Sequence, residues 1–511
     1  MKVSHYSFIA AGAFLLALPI NDATAAEIRV GYTQDASTLD PANHRSRISE
    51  GIIRNMYDGI LARDDQMLVW PELAETFEQL DEVTYEVKLR EGVLFHDGTE
   101  MTAEDVKFTF DRLTKEGAMG GETSPRQSLL GPLEETSIVD AYTVRFKLAN
   151  AWPVFPRMLP FQEVVSKAFV EKVGTEGLAT QVNGNGPFKL VEWRQGDSII
   201  MERFDDYYGG AEGIAPVQAA QVDRVIFKII PESASRVAAL LAGEVDLINE
   251  LPVHAMARVE NNPDTKVLKT LGTRSFFILL NNTQPPFDDV RVRKAANHAV
   301  DKQIIIDRIL DGLAVPINGI LSPQSFGYNP DLPVYGHDPE MARQLLAEAG
   351  YPDGVDVVLD AETEFKDLAE AIAASMNSSG FRAKVQLWER NALRAHWDPK
   401  KPKERAMYFS SWGSGALDPA GIFMPVLRSD ARGNRSGYSN AEVDRLLDGA
   451  NAEPDQDVRS QMYQDAQVIV NDEAPLIFLW LPQDIYGANS RLQGWMPSGR
   501  GIIKLHDAYM E

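Results

Sequence analysis

The chain has no cysteine among its 511 residues. Disulfide bridges, cysteine nucleophiles and thiolate metal sites are therefore excluded. A chain of this length can bury cores large enough to fold without disulfides, so the absence is compatible with an exported protein. The sequence also lacks an apolar run of the roughly 20 residues that a membrane-spanning helix requires. We expect a mature chain that is soluble.

Basic residues are outnumbered by acidic ones, 50 against 74, which gives a formal net charge of −24 at pH 7. Nucleic acids and anionic lipid surfaces are bound by basic footprints, so neither is expected as a partner. The acidity favours solubility, and a cationic ligand would gain some electrostatic steering from it.

Catalytic motifs are missing as well. The sequence has no His-Glu-x-x-His, no Gly-x-Ser-x-Gly and no Walker lysine loop. The eight histidines are scattered, and no two of them are four residues apart. A metal cluster is therefore not expected. We expect a protein without cofactor, metal or enzymatic activity.

The first 25 residues have the features of a secretory signal peptide. Lys2 supplies a short basic start, residues 8–20 are apolar, and Ala23-Thr24-Ala25 is a small-residue cleavage site. No cysteine lies near this site, which excludes a lipoprotein anchor. We expect cleavage after Ala25, or one residue later, and a periplasmic location.

Apolar alternation and helical periodicity together predict an α/β chain. The predicted strands are 26–32, 84–89, 143–148, 189–193, 225–230, 245–248, 276–280 and 475–481. The predicted helices are 52–61, one capped by Thr102, 233–242, one capped by Asp288 or Asp289, one beginning at Asp301, 441–447 and 456–471.

Several motifs occur in an order that resembles family 5 of the extracytoplasmic solute-binding proteins, in particular its peptide-binding branch. They are Trp70-Pro71-Glu72-Leu73-Ala74-Glu75, the signature from 84 to 106, Asn185-Gly186-Pro187-Phe188, the Asn-Asn and P-F-D-D-V-R-V-R-K-A wording of 281–295, the helix-and-glycine pattern of 339–351, and the block 434–444. The resemblance runs from Ile28 to the C-terminal strand, which is nearly all of the mature chain.

This resemblance implies an α/β, two-lobed periplasmic binding protein fold (class II, cluster C) with an extra inserted domain and a hinge of crossing strands. Domain I would be residues 26–66, 183–272 and 478–511, inserted domain II residues 67–182, and domain III residues 273–477. The ligand would be trapped between domains I and III of a monomer. Closure would signal the membrane permease of an ATP-binding-cassette importer.

The resemblance also indicates where relatives anchor a peptide. Their W-x-x-D motif places an aspartate on the α-ammonium group, and here the motif is Trp412-Gly413-Ser414-Gly415, with Gly415 at the position of the acid. A buried ammonium without its carboxylate would lose a charge-assisted hydrogen bond worth about 1.5–3 kcal/mol. Either another acid, of which Asp418 is the nearest, replaces it, or the ligand lacks that group.

Other residues are candidates for ligand contact, although each also has a packing, capping or ion-pair interpretation. Arg274 stands just before the strand that crosses to domain III and could grip a carboxylate with two hydrogen bonds. Phe276 shares its face of the strand. The remaining candidates are the loop residues Asp35 and Asn185 and the tryptophans Trp388, Trp412 and Trp480.

These observations favour a binding protein for a small solute, namely a peptide, an opine-like compound or another carboxylate-bearing molecule. The alternatives are the same fold with an oligosaccharide or a metal chelate as cargo, and a secreted hydrolase. An oligosaccharide site needs flat aromatic platforms with few charges, whereas a peptide or opine site needs paired opposite charges.

Overall fold

A computed structural model describes residues 26–64, 66–210, 217–398 and 405–511. The predicted signal peptide, residues 1–25, lies outside the described residues. Among those described, no helix combines the length and the apolar character needed to cross a membrane.

The strands are numbered in chain order. The first ten are β1 (Glu27–Tyr32), β2 (Leu61–Arg63), β3 (Val69–Pro71), β4 (Ala74–Gln79), β5 (Thr84–Leu89), β6 (Leu133–Asp140), β7 (Thr143–Leu148), β8 (Phe188–Arg194), β9 (Ser198–Arg203) and β10 (Arg224–Ile229). They are followed by β11 (Leu247–Ile248), β12 (Thr265–Leu271), β13 (Arg274–Leu280), β14 (Ala314–Pro316), β15 (Val355–Glu362), β16 (Phe381–Trp388), β17 (Met407–Gly413), β18 (Leu476–Asn489), β19 (Leu492–Gln493) and β20 (Tyr509–Met510).

The α-helices are numbered in the same way. They are α1 (Arg47–Ile53), α2 (Ala103–Thr114), α3 (Phe155–Met158), α4 (Lys167–Leu178), α5 (Ser233–Leu241), α6 (Met256–Glu260), α7 (Val290–Ala299), α8 (Lys302–Arg308), α9 (Pro339–Glu348), α10 (Lys366–Asn377), α11 (Arg390–His396), α12 (Phe423–Val426), α13 (Ala441–Ala452) and α14 (Gln456–Glu473).

Two sheets are joined by the long strand β18. Its first half, up to Pro482, lies between β13 and β14, and its second half, from Gln483, lies between β12 and β11. Strands β15, β16 and β17 extend the first sheet, and β1, β10, β9 and β8 extend the second. Each sheet has its own hydrophobic core, so the molecule has two lobes with crossing strands between them.

A separate four-stranded antiparallel sheet, in the order β4-β5-β7-β6, has its own core with α2 packed against it. Its strands lie within the segment predicted as the inserted domain. The mixed α/β fold class is therefore confirmed, together with the crossing strands. The exact domain limits remain a prediction, and β18 leaves the β13 side only after Pro482, inside the segment 478–511 that was assigned to domain I.

Local signals placed many elements correctly. Strands β5 and β7 have the predicted limits. Thr102 and Asp105 form the predicted capping box of α2, and Asp289 and Asp301 cap α7 and α8 with their side chains. These elements are encoded by alternation and capping within a few residues of their ends.

The predicted helix 52–61 is wrong, because α1 covers 47–53 and the chain is extended by Leu61. Long-range hydrogen bonds take the place of helical ones here: Gly186 N–H donates to Met56 O at 3.0 Å, and Asp58 N–H donates to the Asn185 side chain at 2.9 Å. Tertiary contacts thus override the apolar periodicity of the segment.

Candidate functional site

The two lobes meet where Gly272 and Thr273 connect β12 to β13, next to the crossing point of β18. Gly272 N–H donates to Pro482 O at 2.9 Å, and a Cβ on Gly272 would lie 3.2 Å from that oxygen. The residues beside this connection therefore lie where the two lobes join. This is the position at which ligands of two-lobed α/β proteins are held.

Arg274 begins β13 at this hinge. Its side chain is exposed, and its Nη1 makes only long contacts, 3.4 Å each, with the backbone oxygen and Oγ of Ser411. Within the described residues it has no carboxylate partner. Partial burial lowers its pKa, and the positive charges of Arg47, Arg394 and Arg390 lower it further.

These three arginines come from both lobes. Arg47 opens α1 and its Nη2 lies 3.4 Å from Thr273 Oγ1. Arg390 and Arg394 lie on α11, just past the carboxyl end of β16, and Arg390 binds Glu362 at 2.6 Å and Glu364 at 2.5 Å. We call Arg47, Arg274, Arg390 and Arg394 the cleft arginines. Arg47, Arg390 and Arg394 lie within electrostatic range of Arg274, and the charge of Arg390 is offset by its two glutamates.

The loop after Trp412 contacts the inserted sheet domain. An added Cβ on Gly415 would lie 3.4 Å from Cζ and 3.6 Å from Cε1 of Phe161. The Phe161 ring in turn carries the guanidinium of Arg500 at 4.1 Å from its centroid and that of Arg63 at 5.7 Å. An aspartate at position 415 would meet an aromatic ring flanked by two cations rather than open cleft.

Trp412 and Trp388 are half-buried and use their indole N–H groups within the protein. Trp412 donates to Gly421 O at 3.0 Å, and Trp388 donates to Asp360 at 2.8 Å while it stacks on His396. Their rings keep some surface available. Gly413 lies opposite Arg274, and a Cβ there would come within 2.8 Å of Thr273 O, so its role is close approach of two strands.

Asp418 and Asn185 are buried and engaged. Asp418 caps the short turn 419–421 and binds Arg459 at 2.7 Å, with Arg157 at 3.6 Å. Asn185 holds the backbone of Asp58 through its side-chain oxygen. These contacts support structural roles for both residues.

The other three candidates also lie away from the hinge arginines or inside a core. Asp35 accepts hydrogen bonds from Trp193 Nε1 and from Gly196 N–H, which ties the first loop to the β8–β9 turn. Phe276 packs against Phe365 and Phe409. Trp480 is 1% exposed within the core of its lobe, so we remove it from the candidate site.

Sequence reasoning missed Arg47, Arg394 and Asp484. Asp484 lies on β18 next to the hinge, half-buried, and burial raises its pKa whereas Arg47 lowers it. No motif marks any of these residues. Tertiary packing brings Arg47 and Arg394 near Arg274, and it brings Asp484 near Arg47.

A second cavity, of about 320 Å³, opens beside β2 and the C-terminal segment. Its charges are mostly paired: Arg500 binds Glu50 at 2.5 Å, and Lys504 binds Glu72 at 2.6 Å. Asp58, Glu72 and His506 are close enough to hold a metal ion. However, Asp58 already accepts bonds from two tyrosines and His506, and Glu72 from Gly59 N–H and Lys504. Saturated carboxylates favour a structural network.

Residues 69–434 match the bacterial extracellular solute-binding proteins, family 5 Middle. The chain belongs to this family. The match covers well over half of the chain and includes the loop with Gly415, and it confirms the resemblance drawn from the motifs.

The comparison with individual proteins agrees. The chain is 27% identical to the glutathione-binding protein GsiB of Escherichia coli (strain K12), with 98% of each chain covered. HbpA2 from Haemophilus parasuis has a TM-score of 0.88 at 25% identity, covering 95% of this chain and all of that one. DppA from Helicobacter pylori, solved in complex with the peptide STSA, has a TM-score of 0.72 at 26% identity, covering 95% of this chain and 99% of that one.

Proposed function

We propose that this solute-binding protein captures a small carboxylate-bearing solute at the cleft arginines and delivers it, chemically unchanged, to the permease of an ATP-binding-cassette importer. Export to the periplasm through residues 1–25 is part of the proposal. The lobes would close on the solute as a monomer, with binding energy shifting an open–closed equilibrium.

The observation that carries the proposal is the state of Arg274. A guanidinium that has only two long hydrogen bonds and stands among three like charges is poorly satisfied by the protein itself. A carboxylate is the group that best matches its planar pair of donors, and Arg394 and Arg47 would add to the attraction. Glutathione and the peptide STSA, the ligands named for two relatives, both carry carboxylates.

An oligosaccharide cargo is less well supported. Trp388 and Trp412 keep only part of their rings free, and a neutral sugar would leave several arginines unpaired on closure of the cleft. The charges therefore favour an anionic group in the ligand.

Calorimetry on wild type, Arg274→Ala and Arg274→Lys tests the proposal, with reduced glutathione, the dipeptide Met-Leu and glutarate as probes. Binding should be lost in the alanine variant and only partly restored by lysine, which offers a single point charge. Arg343→Ala is the control, because Arg343 pairs with Glu340 on the surface of α9. Small-angle scattering should show compaction with a bound probe. A probe that binds equally well to the alanine variant contradicts the role of Arg274.

A further inference from the structure

Asp484 lies at the hinge, and its carboxylate accepts no hydrogen bond from the described residues. In the register of β12 with β18, Asp484 lies opposite Thr270. The neighbouring pair, Leu271 and Gln483, marks the point at which β18 changes sheets. Among the described residues the side chain of Asp484 has neither a hydrogen-bond donor nor an ion-pair partner. Its side chain caps no helix, and the nearby charge that favours its ionised form is that of Arg47.

The carboxylate of Asp484 has glycines on two sides. Gly272 and Gly501 flank its carboxylate, and a Cβ on either would lie 3.9–4.0 Å from the nearest carboxylate oxygen. Since both neighbours lack a side chain, the space next to the oxygens is not filled from these two sides. The Tyr486 hydroxyl lies 3.6 Å from the Cβ position of Gly501 and adds a polar group to the same wall.

The charges near Asp484 have both signs. Burial raises its pKa, Arg47 lowers it, and Glu250 raises it. Glu250 has a left-handed backbone, with φ of 49°, on the loop after β11. A half-buried unpaired carboxylate and a strained backbone both cost stability, and such costs are commonly retained where a ligand is bound.

The loop that carries an ammonium-binding aspartate in peptide-binding relatives has Gly415 in place of the acid, and Phe161 with its two flanking arginines occupies the space beyond it. Arg500 is paired with Glu50 there, so this place offers a cationic nitrogen no free carboxylate of its own. On the hinge wall, by contrast, Asp484 offers a carboxylate that accepts no hydrogen bond within the described residues and lies near Arg47.

We propose that Asp484 receives the cationic nitrogen of the bound solute, while Arg274 and Arg394 receive its carboxylate. The solute is then dipolar, and its cationic end is held at the crossing strands instead of at the loop after Trp412. This inference rests on the proposed function, because it assigns the second pole of the same cleft.

The test measures selectivity for a charged amine. Calorimetry compares Met-Leu and reduced glutathione with their N-acetylated forms on wild type and Asp484→Asn. Wild type should bind at least one free-amine form tenfold or more better than its acetylated counterpart, and Asp484→Asn should lose that preference. Asp507→Asn is the matched control, since burial also raises the pKa of Asp507, but its cationic neighbour is Lys504 beside the second cavity.

Two further variants keep the test decisive. Asp484→Glu retains the charge but moves it by one methylene, and should weaken the free-amine probes more than the acetylated ones even if Asp484→Asn does not fold. Arg274→Ala should weaken both forms of a probe by the same factor.

Three results would overturn the inference: an unchanged amine preference in Asp484→Asn, no preference in wild type, or binding of glutarate without binding of any amine probe. In each case the proposed function still stands if binding depends on Arg274. Binding that ignores Arg274→Ala overturns the proposed function instead.

Discussion

Replacing Arg274 by alanine should separate ligand binding from folding. In the unliganded protein the side chain gives up two hydrogen bonds of 3.4 Å, which are too long to contribute more than a few tenths of a kcal/mol. The substitution also removes the repulsion between Arg274 and the arginines Arg47, Arg390 and Arg394, which is worth about 0.2–1 kcal/mol in total for exposed charges. These two effects oppose each other, so the free energy of unfolding should change by less than about 1 kcal/mol.

Ligand binding should respond quite differently. Truncating one partner of a desolvated charge pair costs about 2–5 kcal/mol, which is roughly 30- to 4,000-fold in Kd. Calorimetry gives the affinity and urea denaturation gives the stability of the same preparation. Arg293→Ala is the contrasting variant, because Arg293 is buried and donates to the backbone oxygens of Phe287 and Glu473.

Arg293→Ala should lose about 2–4 kcal/mol of stability, since the backbone oxygens of Phe287, Asp288 and Glu473 lose their donor. Arg274→Ala with a stability loss of that size, or with undiminished binding, would refute the reasoning that Arg274 is held free for a ligand.

Four other outcomes are expected. Asp484→Asn should raise the stability of the unliganded protein at pH 7 by about 0.5–2 kcal/mol, because burial raises the pKa of this carboxyl and disfavours its ionised form in the fold. In denaturation curves taken below the ordinary pKa of an aspartate, this gain should vanish. Gly415→Ala should leave ligand affinity and melting temperature nearly unchanged. Gly415→Asp should not improve ligand affinity, since its carboxylate meets the Phe161 ring and the arginines beside it, and a tenfold gain in the affinity of Gly415→Asp by calorimetry would contradict this expectation. Arg459→Ala should cost about 3–5 kcal/mol in urea denaturation, because it strips the buried Asp418 of its 2.7 Å partner. Lowering the pH from 6.5 towards 4 should reduce the unfolding free energy, because burial lowers the pKa of His44 and His96 to about 4 and only the unfolded chain then binds a proton at these residues. His96→Gln should make the unfolding free energy depend less steeply on pH in this range.

Elements with local signals were predictable from the sequence. Alternation defined β5 and β7, and side-chain caps at Thr102, Asp289 and Asp301 defined three helix starts. Proline cannot donate to a sheet ladder, and the sequence predicts that β18 ends at Leu481, just before Pro482. It continues to Asn489, since Pro482 stands where the strand changes partners and its carbonyl accepts from Gly272 N–H.

The candidate site was predictable only in part. Arg274 could be singled out because the family motifs locate the crossing to the second lobe. Arg47 and Asp484 could not. The approach of Arg47 to Thr273 depends on the position of α1, and that of Asp484 to Gly272 depends on the register of β12 with β18. The contact between Gly415 and Phe161 could not be predicted either, since Phe161 is distant in sequence and reaches Gly415 only through domain packing.

The central claim is that the cleft holds a solute with a carboxylate at the cleft arginines. The most direct test is mass spectrometry of the compounds released when protein purified from its own periplasm is denatured, with Arg274→Ala prepared in parallel. We expect wild type to release a carboxylate-bearing compound that also carries a basic nitrogen, and the variant to release much less of it. A neutral oligosaccharide released in equal amounts from both proteins would contradict it.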